Sequence, residues 1–122
     1  MRTPMAVTAQ ADEVHRVLST AVDPDFYRTV YPDIERAGSD PLTHYRQTGW
    51  REGRDPAPWF CSKTYLAAND DVRKADLEPL FHFLVKGRHE GREVAPSAHA
   101  IGYLRYVDWA PPSWASGPRG GA

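Results

Sequence analysis

With 122 residues, 41% of them hydrophobic and 25% charged, the chain has the composition of one small soluble globular domain. Its 15 basic and 16 acidic residues leave a formal net charge of -1, which excludes an overall field that would draw in nucleic acid or an anionic membrane. One cysteine, Cys61, excludes an intrachain disulfide, and no run approaches the roughly 20 apolar residues of a membrane span.

Residues Met1 to Gln10 carry no periodic pattern and no continuous apolar stretch of the kind a signal peptide needs, so they read as a flexible N-terminus and the protein as cytoplasmic. Ala11 to Ala21 reads as a helix, with Val14, Val17, Leu18 and Ala21 at helical spacing and Asp12 and Glu13 in the first turn. Asp23-Pro24 is a helix start: aspartate caps the first amides, and proline at the first position loses no bond the helix would have made. Phe26, Tyr27, Val30 and Tyr31 form its apolar band, and Pro32 stops or kinks it. A short segment, Asp33 to Ala37, ends at Gly38, a candidate left-handed cap. Asp40-Pro41 repeats the start signal for a helix to about Trp50.

From here the chain repeats itself. Asp40 to Arg54 returns 38 residues later at Glu78 to Arg92, in the shared frame acid-Pro-Leu-x-His-aromatic-x3-Gly-x2-Glu-Gly-Arg. At that offset Tyr27 meets Tyr65, Asp33 meets Asp71, Pro41-Leu42 meets Pro79-Leu80, His44 meets His82, Gly49 meets Gly87, and Glu52-Gly53-Arg54 meets Glu90-Gly91-Arg92. The expected architecture is all-α: a capping helix, repeats at 22–59 and 60–97, and a partial third at 98–107 that carries Tyr103-Leu104 in register. These form one domain over 11–107, followed by a Pro/Gly/Trp-rich tail at 108–122.

The repeated residues read first as geometry. Leu80, Phe83, Leu84 and Gly87, like Leu42, Tyr45 and Gly49, fall on one helix stripe, and the glycine permits a close backbone approach or a helix end. Gly53 and Gly91 suit left-handed caps, after which Arg54 and Arg92 fold back on Asp33 and Asp71 as bidentate clamps; binding a ligand is the competing role. His44 and His82 point away from their own stripe, roughly 200° round from the preceding leucine. They are expected at the seam between units with a ring nitrogen on a backbone group; a shared ligand or metal site and plain exposure are the alternatives.

No nucleophile-base set, phosphate loop, dinucleotide fingerprint or metal-ligand spacing is present, so the expectation is a non-enzyme without cofactor or metal. Cys61 precedes a helix start, where a thiol pKa can be lowered, but the expected reading is a small residue tolerated at a cap. Trp50 and Trp59 become Arg88 and Ser97 in the second repeat; positions that vary while the core is held are expected at a surface, with packing into a loop the alternative for Trp59. Trp50, Arg51, Trp59, Arg88, Trp109 and Trp114 are therefore the candidate binding residues, since aromatic and arginine side chains dominate hot spots. Trp109-Ala-Pro-Pro-Ser-Trp114 either offers a polyproline segment to a groove or packs back on the last helix.

The pattern Tyr-x5-Asp-[Val/Ile]-x2-Ala-x2-[Asp/Glu]-Pro-Leu-x-His-[Tyr/Phe]-x3-Gly-x2-Glu-Gly-Arg resembles a short helical repeat of bacterial proteins, over about Val22 to Pro96. That repeat accompanies glycosyltransferase and sulfotransferase domains of surface-polysaccharide synthesis and large secreted surface proteins. The resemblance implies a non-catalytic interaction module in a cell-surface glycan setting. A protein partner is expected; the rival is direct carbohydrate binding on exposed tryptophan and arginine. Nucleic acid is not expected, and a homodimer through the half repeat is possible by the same logic.

Overall fold

The computed structural model describes residues 12–104. The 1–10 stretch, the end of the 98–107 helix and the tail with Trp109 and Trp114 lie outside these residues. Among the described residues the fold is all-α: short helices and tight turns, no strand, and one isolated bridge between Ala57 and Phe60. None of these helices is long and apolar enough to cross a membrane.

Helix α1 (12–19) sinks Leu18 fully into the core. Helix α2 (Pro24–Val30) starts where the Asp23 carboxylate accepts the Phe26 amide at 3.0 Å. Helix α3 (Pro32–Ala37) ends on Gly38 at φ 67. Helix α4 is regular over Pro41–His44, capped by Asp40, then widens over Tyr45–Gly49, where the Tyr45 carbonyl accepts the amide of Trp50 at 3.1 Å, five residues on. Helices α5 (Ser62–Ala68) and α6 (Asp70–Lys74) follow, then α7, regular over Pro79–His82 and widened over Phe83–Gly87, and α8 (Ala100–Leu104). Side chains of Leu18, Tyr27, Ile34, Tyr45, Trp50, Trp59, Phe60, Tyr65, Val72, Leu80 and Phe83 meet in one apolar cluster.

The first helix ends just before Pro32, as expected, but the second segment makes the same break without a proline. Tyr31, before Pro32, has φ -121 and ψ 81; Asn69, followed by Asp70, has φ -126 and ψ 78. Side chains hold the second break instead: the Asn69 carboxamide donates to the Tyr65 carbonyl at 2.8 Å and accepts from Arg92 at 3.0 Å. Gly38 closes α3 with two backward bonds, from its own amide to Glu35 and from the Ser39 amide to Ile34. After α6, Asp76 makes the same closure at φ 58, a left-handed position that glycine would hold with less strain. Gly53 and Gly91 end α4 and α7 at φ 78 and 77.

Gly49 and Gly87 serve a purpose other than backbone approach or helix ending. A Cβ on Gly49 would lie 2.0 Å from the Tyr27 hydroxyl, and one on Gly87 2.2 Å from that of Tyr65. The missing side chain is the space a tyrosine occupies. Gly49→Ala and Gly87→Ala are each expected to cost about 2–4 kcal/mol in urea unfolding, from overpacking plus a displaced hydrogen bond. Gly102→Ala in α8, where nothing lies within 4 Å of the new methyl, is expected to stabilise by about 0.5–1 kcal/mol.

Candidate interaction surface and its polar scaffold

The polar residues of the repeated frame are engaged with one another. Tyr27 Oη lies 2.8 Å from His44 Nδ1, and Tyr65 Oη lies 2.8 Å from His82 Nδ1. The histidine partner is thus a tyrosine hydroxyl and not the backbone group expected from sequence; α2 and α5 cross over the glycine and bring the ring to it. Burial pushes the Tyr65 hydroxyl up to about 12 and that of Tyr27 further still, so both phenols stay protonated. Burial and the nearby Arg92 cation hold the His82 imidazole below its usual value.

Arg54 forks onto Asp33 with both distances 2.9 Å, and Arg92 onto Asp71 at 2.9 and 2.8 Å, as expected from sequence. Glu52 and Glu90 take the Nε of the same arginines at 2.9 and 2.8 Å. The Arg92 pair holds the Asp71 carboxyl down at about 2. Arg54 also stacks 4.8 Å from the Tyr31 ring centre. Among the described residues, no three His, Cys, Asp or Glu side chains converge on a point that would hold a metal ion. Cys61 caps α5 without accepting a helix amide through its side chain; its sulfur accepts instead from the Thr64 hydroxyl at 3.2 Å.

A second polar group joins the 22–59 segment to the 60–97 segment, and its central residues, Asp55 and Ser62, were not singled out from sequence. Asp55 is buried; its carboxylate accepts from the Ser62 amide at 3.0 Å and the Ser97 hydroxyl at 2.6 Å, and its amide donates to Tyr31 Oη at 2.8 Å. Ser62, fully buried, donates its hydroxyl to the Arg54 carbonyl at 2.9 Å and meets Tyr45 Oη at 2.9 Å. Tyr45 also hydrogen-bonds the Glu78 carboxyl, which caps α7 through the amides of Leu80 and Phe81 at 2.7 and 2.8 Å. On the outside, Arg51 forks onto Asp76 at 2.9 and 3.0 Å. The signal was present: Ser62 meets Pro24 at the 38-residue offset, Asp76 meets Gly38, Tyr45 meets Phe83 and Arg51 meets His89. A polar residue without its counterpart in the other copy marks the joint between copies.

Of the candidate binding residues, Trp50 and Trp59 are corrected: each is only 8% exposed. The widened turn is the reason for Trp50. It inserts one residue into the helical count, so Trp50 takes the hydrogen-bond place over Tyr45 that an unbroken 100° step would give Gly49. Trp59 packs in its loop against Phe60 and Phe83, with ring centres 5.5 and 6.1 Å away. Arg51 is exposed, with its guanidinium 4.4 Å above the Trp50 ring, and Arg88 is exposed while its Nε donates to the Leu84 carbonyl at 2.9 Å. The second segment also leaves Leu77 and Val85 exposed. On another side, His15, Ser19, Val22, Pro24, Asp40 and Leu42 line an open depression of 240 Å³.

No family model, curated protein or solved structure matches the chain.

The Glu78 carboxyl gives this joint a pH signature. Burial raises it from 4.5 to about 7, against the pull of the two α7 amides and the Tyr45 hydroxyl. Between those values the folded chain holds a proton the unfolded chain has lost. The stability contributed is complete below 4.5 and is lost as pH rises through 7. His82 acts in the opposite sense, its contribution being lost as pH falls below the ordinary histidine range. Glu78→Gln isolates the carboxyl: the stability of wild type minus variant is expected to fall between pH 4.5 and 7 by up to roughly 3 kcal/mol, with His82 cancelling in the difference. Chemical denaturation at a series of pH values checks it, and a flat difference contradicts it.

Proposed function

We propose that the chain is a non-catalytic tandem helical-repeat module that binds a protein partner, built from two units of about 38 residues with the start of a third, and working in a cell-surface polysaccharide setting. The observation that carries the reading is where the reactive side chains go. Tyrosine, histidine, arginine and aspartate of each unit bond to one another at matching distances 38 residues apart, so the chemistry-bearing residue types are committed to shape. The starts of α2, α5 and α8 at Pro24, Ser62 and Ala100 support a third unit begun in register. The polysaccharide setting rests on the resemblance of the repeated motif alone.

The exposed side chains we assign to a partner are Arg51, Arg88 and Val85, a mixture of arginine and apolar surface of the kind found at hot spots. Carbohydrate binding is the weaker reading, since burial of Trp50 and Trp59 withdraws two of the flat aromatic faces on which a sugar ring would stack.

The test is affinity capture from a bacterial lysate with the intact chain and with the Arg51→Ala/Arg88→Ala double variant. Partner recovery is expected to fall about tenfold or more while the unfolding midpoint shifts little, because exposed ion pairs add little stability. Equal recovery by both forms removes these side chains from the reading. A saturable tryptophan-fluorescence response to a bacterial polysaccharide, with no protein captured, would favour the carbohydrate reading instead.

A further inference from the structure

The depression at the first unit has a filled counterpart inside the chain. Three of its lining residues, Pro24, Asp40 and Leu42, stand 38 positions before Ser62, Glu78 and Leu80. In the second unit that place is closed: Ser62 and Leu80 are fully buried, and the Tyr45 hydroxyl from the helix of the preceding unit bonds Ser62 and Glu78. In the first unit Pro24 and Asp40 are exposed and Leu42 is only partly covered, with α1 supplying His15 and Ser19 as one wall. The Asp40 carboxylate already takes the Thr43 amide at 3.0 Å and the Thr43 hydroxyl at 2.9 Å, as a cap. Both of these bonds use the same carboxylate oxygen, Oδ2, so the other oxygen has room for a further donor.

Size argues for a side chain. Small-molecule pockets run from roughly 300 to 1,000 Å³, whereas this depression holds 240 Å³. The chain's own stretch before the described residues, Met1 to Ala11, has no aromatic residue to fill it.

We propose that the depression between α1 and the start of α4 seats a tyrosine carried on a helix of the partner protein, with the phenol donating to Asp40. Pro24 replaces Ser62 and can neither donate nor accept through its side chain, so Asp40 alone reads the hydroxyl and the apolar wall takes the ring. The proposal rests on the interaction-module reading and adds the chemistry of one contact.

The probe is a helix-stapled peptide of this chain's residues 40–54, which carries Tyr45, added to the full-length protein and followed by amide chemical shifts. Saturable shifts are expected at His15, Ser19, Val22 and Leu42. The same peptide with Tyr45→Phe is expected to bind about three- to tenfold more weakly, the effect of one hydrogen bond. Ser19→Trp, which fills the depression from an exposed helical position, is expected to weaken binding at least tenfold with an unchanged unfolding midpoint. Equal binding of the phenylalanine peptide, shifts confined to other residues, no saturation, or the same shifts appearing on concentrating the protein alone, which would mark a second copy as the occupant, each overturn the proposal. Partner capture that survives Ser19→Trp but not Arg51→Ala/Arg88→Ala would leave the interaction reading standing without this seat.

Discussion

A tyrosine hydroxyl laid over a glycine and held by a histidine is the contact on which the shape of the 22–59 segment, and again of the 60–97 segment, depends. Tyr27 crosses the widened turn of α4 at Gly49, where any side chain would meet its oxygen, and His44 receives that oxygen from one turn earlier. The buried phenol has lost its water and must find a partner, and the cost of leaving it without one makes the crossing specific as well as tight. Arg54 then bridges from the end of α4 to Asp33 on α3, which sets the angle between the paired helices from the solvent side. Interior crossing and exterior fork are both found again at Tyr65, Gly87, His82, Arg92 and Asp71.

The joint between the two segments obeys different rules. Its hydrogen bonds run in one direction: Ser62 donates to the Arg54 carbonyl, which leaves its oxygen to accept from Tyr45. When Glu78 is protonated it can donate to the Tyr45 oxygen, and every proton in the row then has an acceptor. When Glu78 is ionised it competes with Ser62 for the single Tyr45 proton. A buried row of this kind is sensitive to one proton because the surroundings offer no water to make up the missing bond. Burial brings this carboxyl near neutrality at a place where an ordinary helix cap would be ionised.

Much of the fold was legible in the sequence, and the part that was not has a common cause. Caps and left-handed ends are local chemistry, so Asp23, Asp40, Gly38, Gly53 and Gly91 could be placed from their neighbours. The Arg54–Asp33 and Arg92–Asp71 forks could be placed because both partners recur at one offset. The helical count failed at Tyr45–Gly49, since a turn holding an extra residue leaves no mark in apolar periodicity, and with it failed the exposure assigned to Trp50. Asp76 was missed as a left-handed residue because an aspartate does not announce that backbone, though its alignment with Gly38 did. Asp55 and Ser62 were missed because they stand outside the repeated frame, and a reading organised around recurrence attends to what recurs; Glu78 was placed as the recurring helix-start acid, without its link to the preceding segment. The candidate surface was only partly legible: Arg51 and Arg88 are exposed as expected, whereas Trp50 and Trp59 are buried.

If one contact shapes both segments, its energy should be the same in both. A pair of double-mutant cycles in the full chain, Tyr27→Phe with His44→Leu and Tyr65→Phe with His82→Leu, measures that energy directly. The account predicts coupling of about 1 kcal/mol or more in each cycle, agreeing between the two within about 0.5 kcal/mol. Coupling indistinguishable from zero in either segment, or present in one and absent in the other, would contradict it.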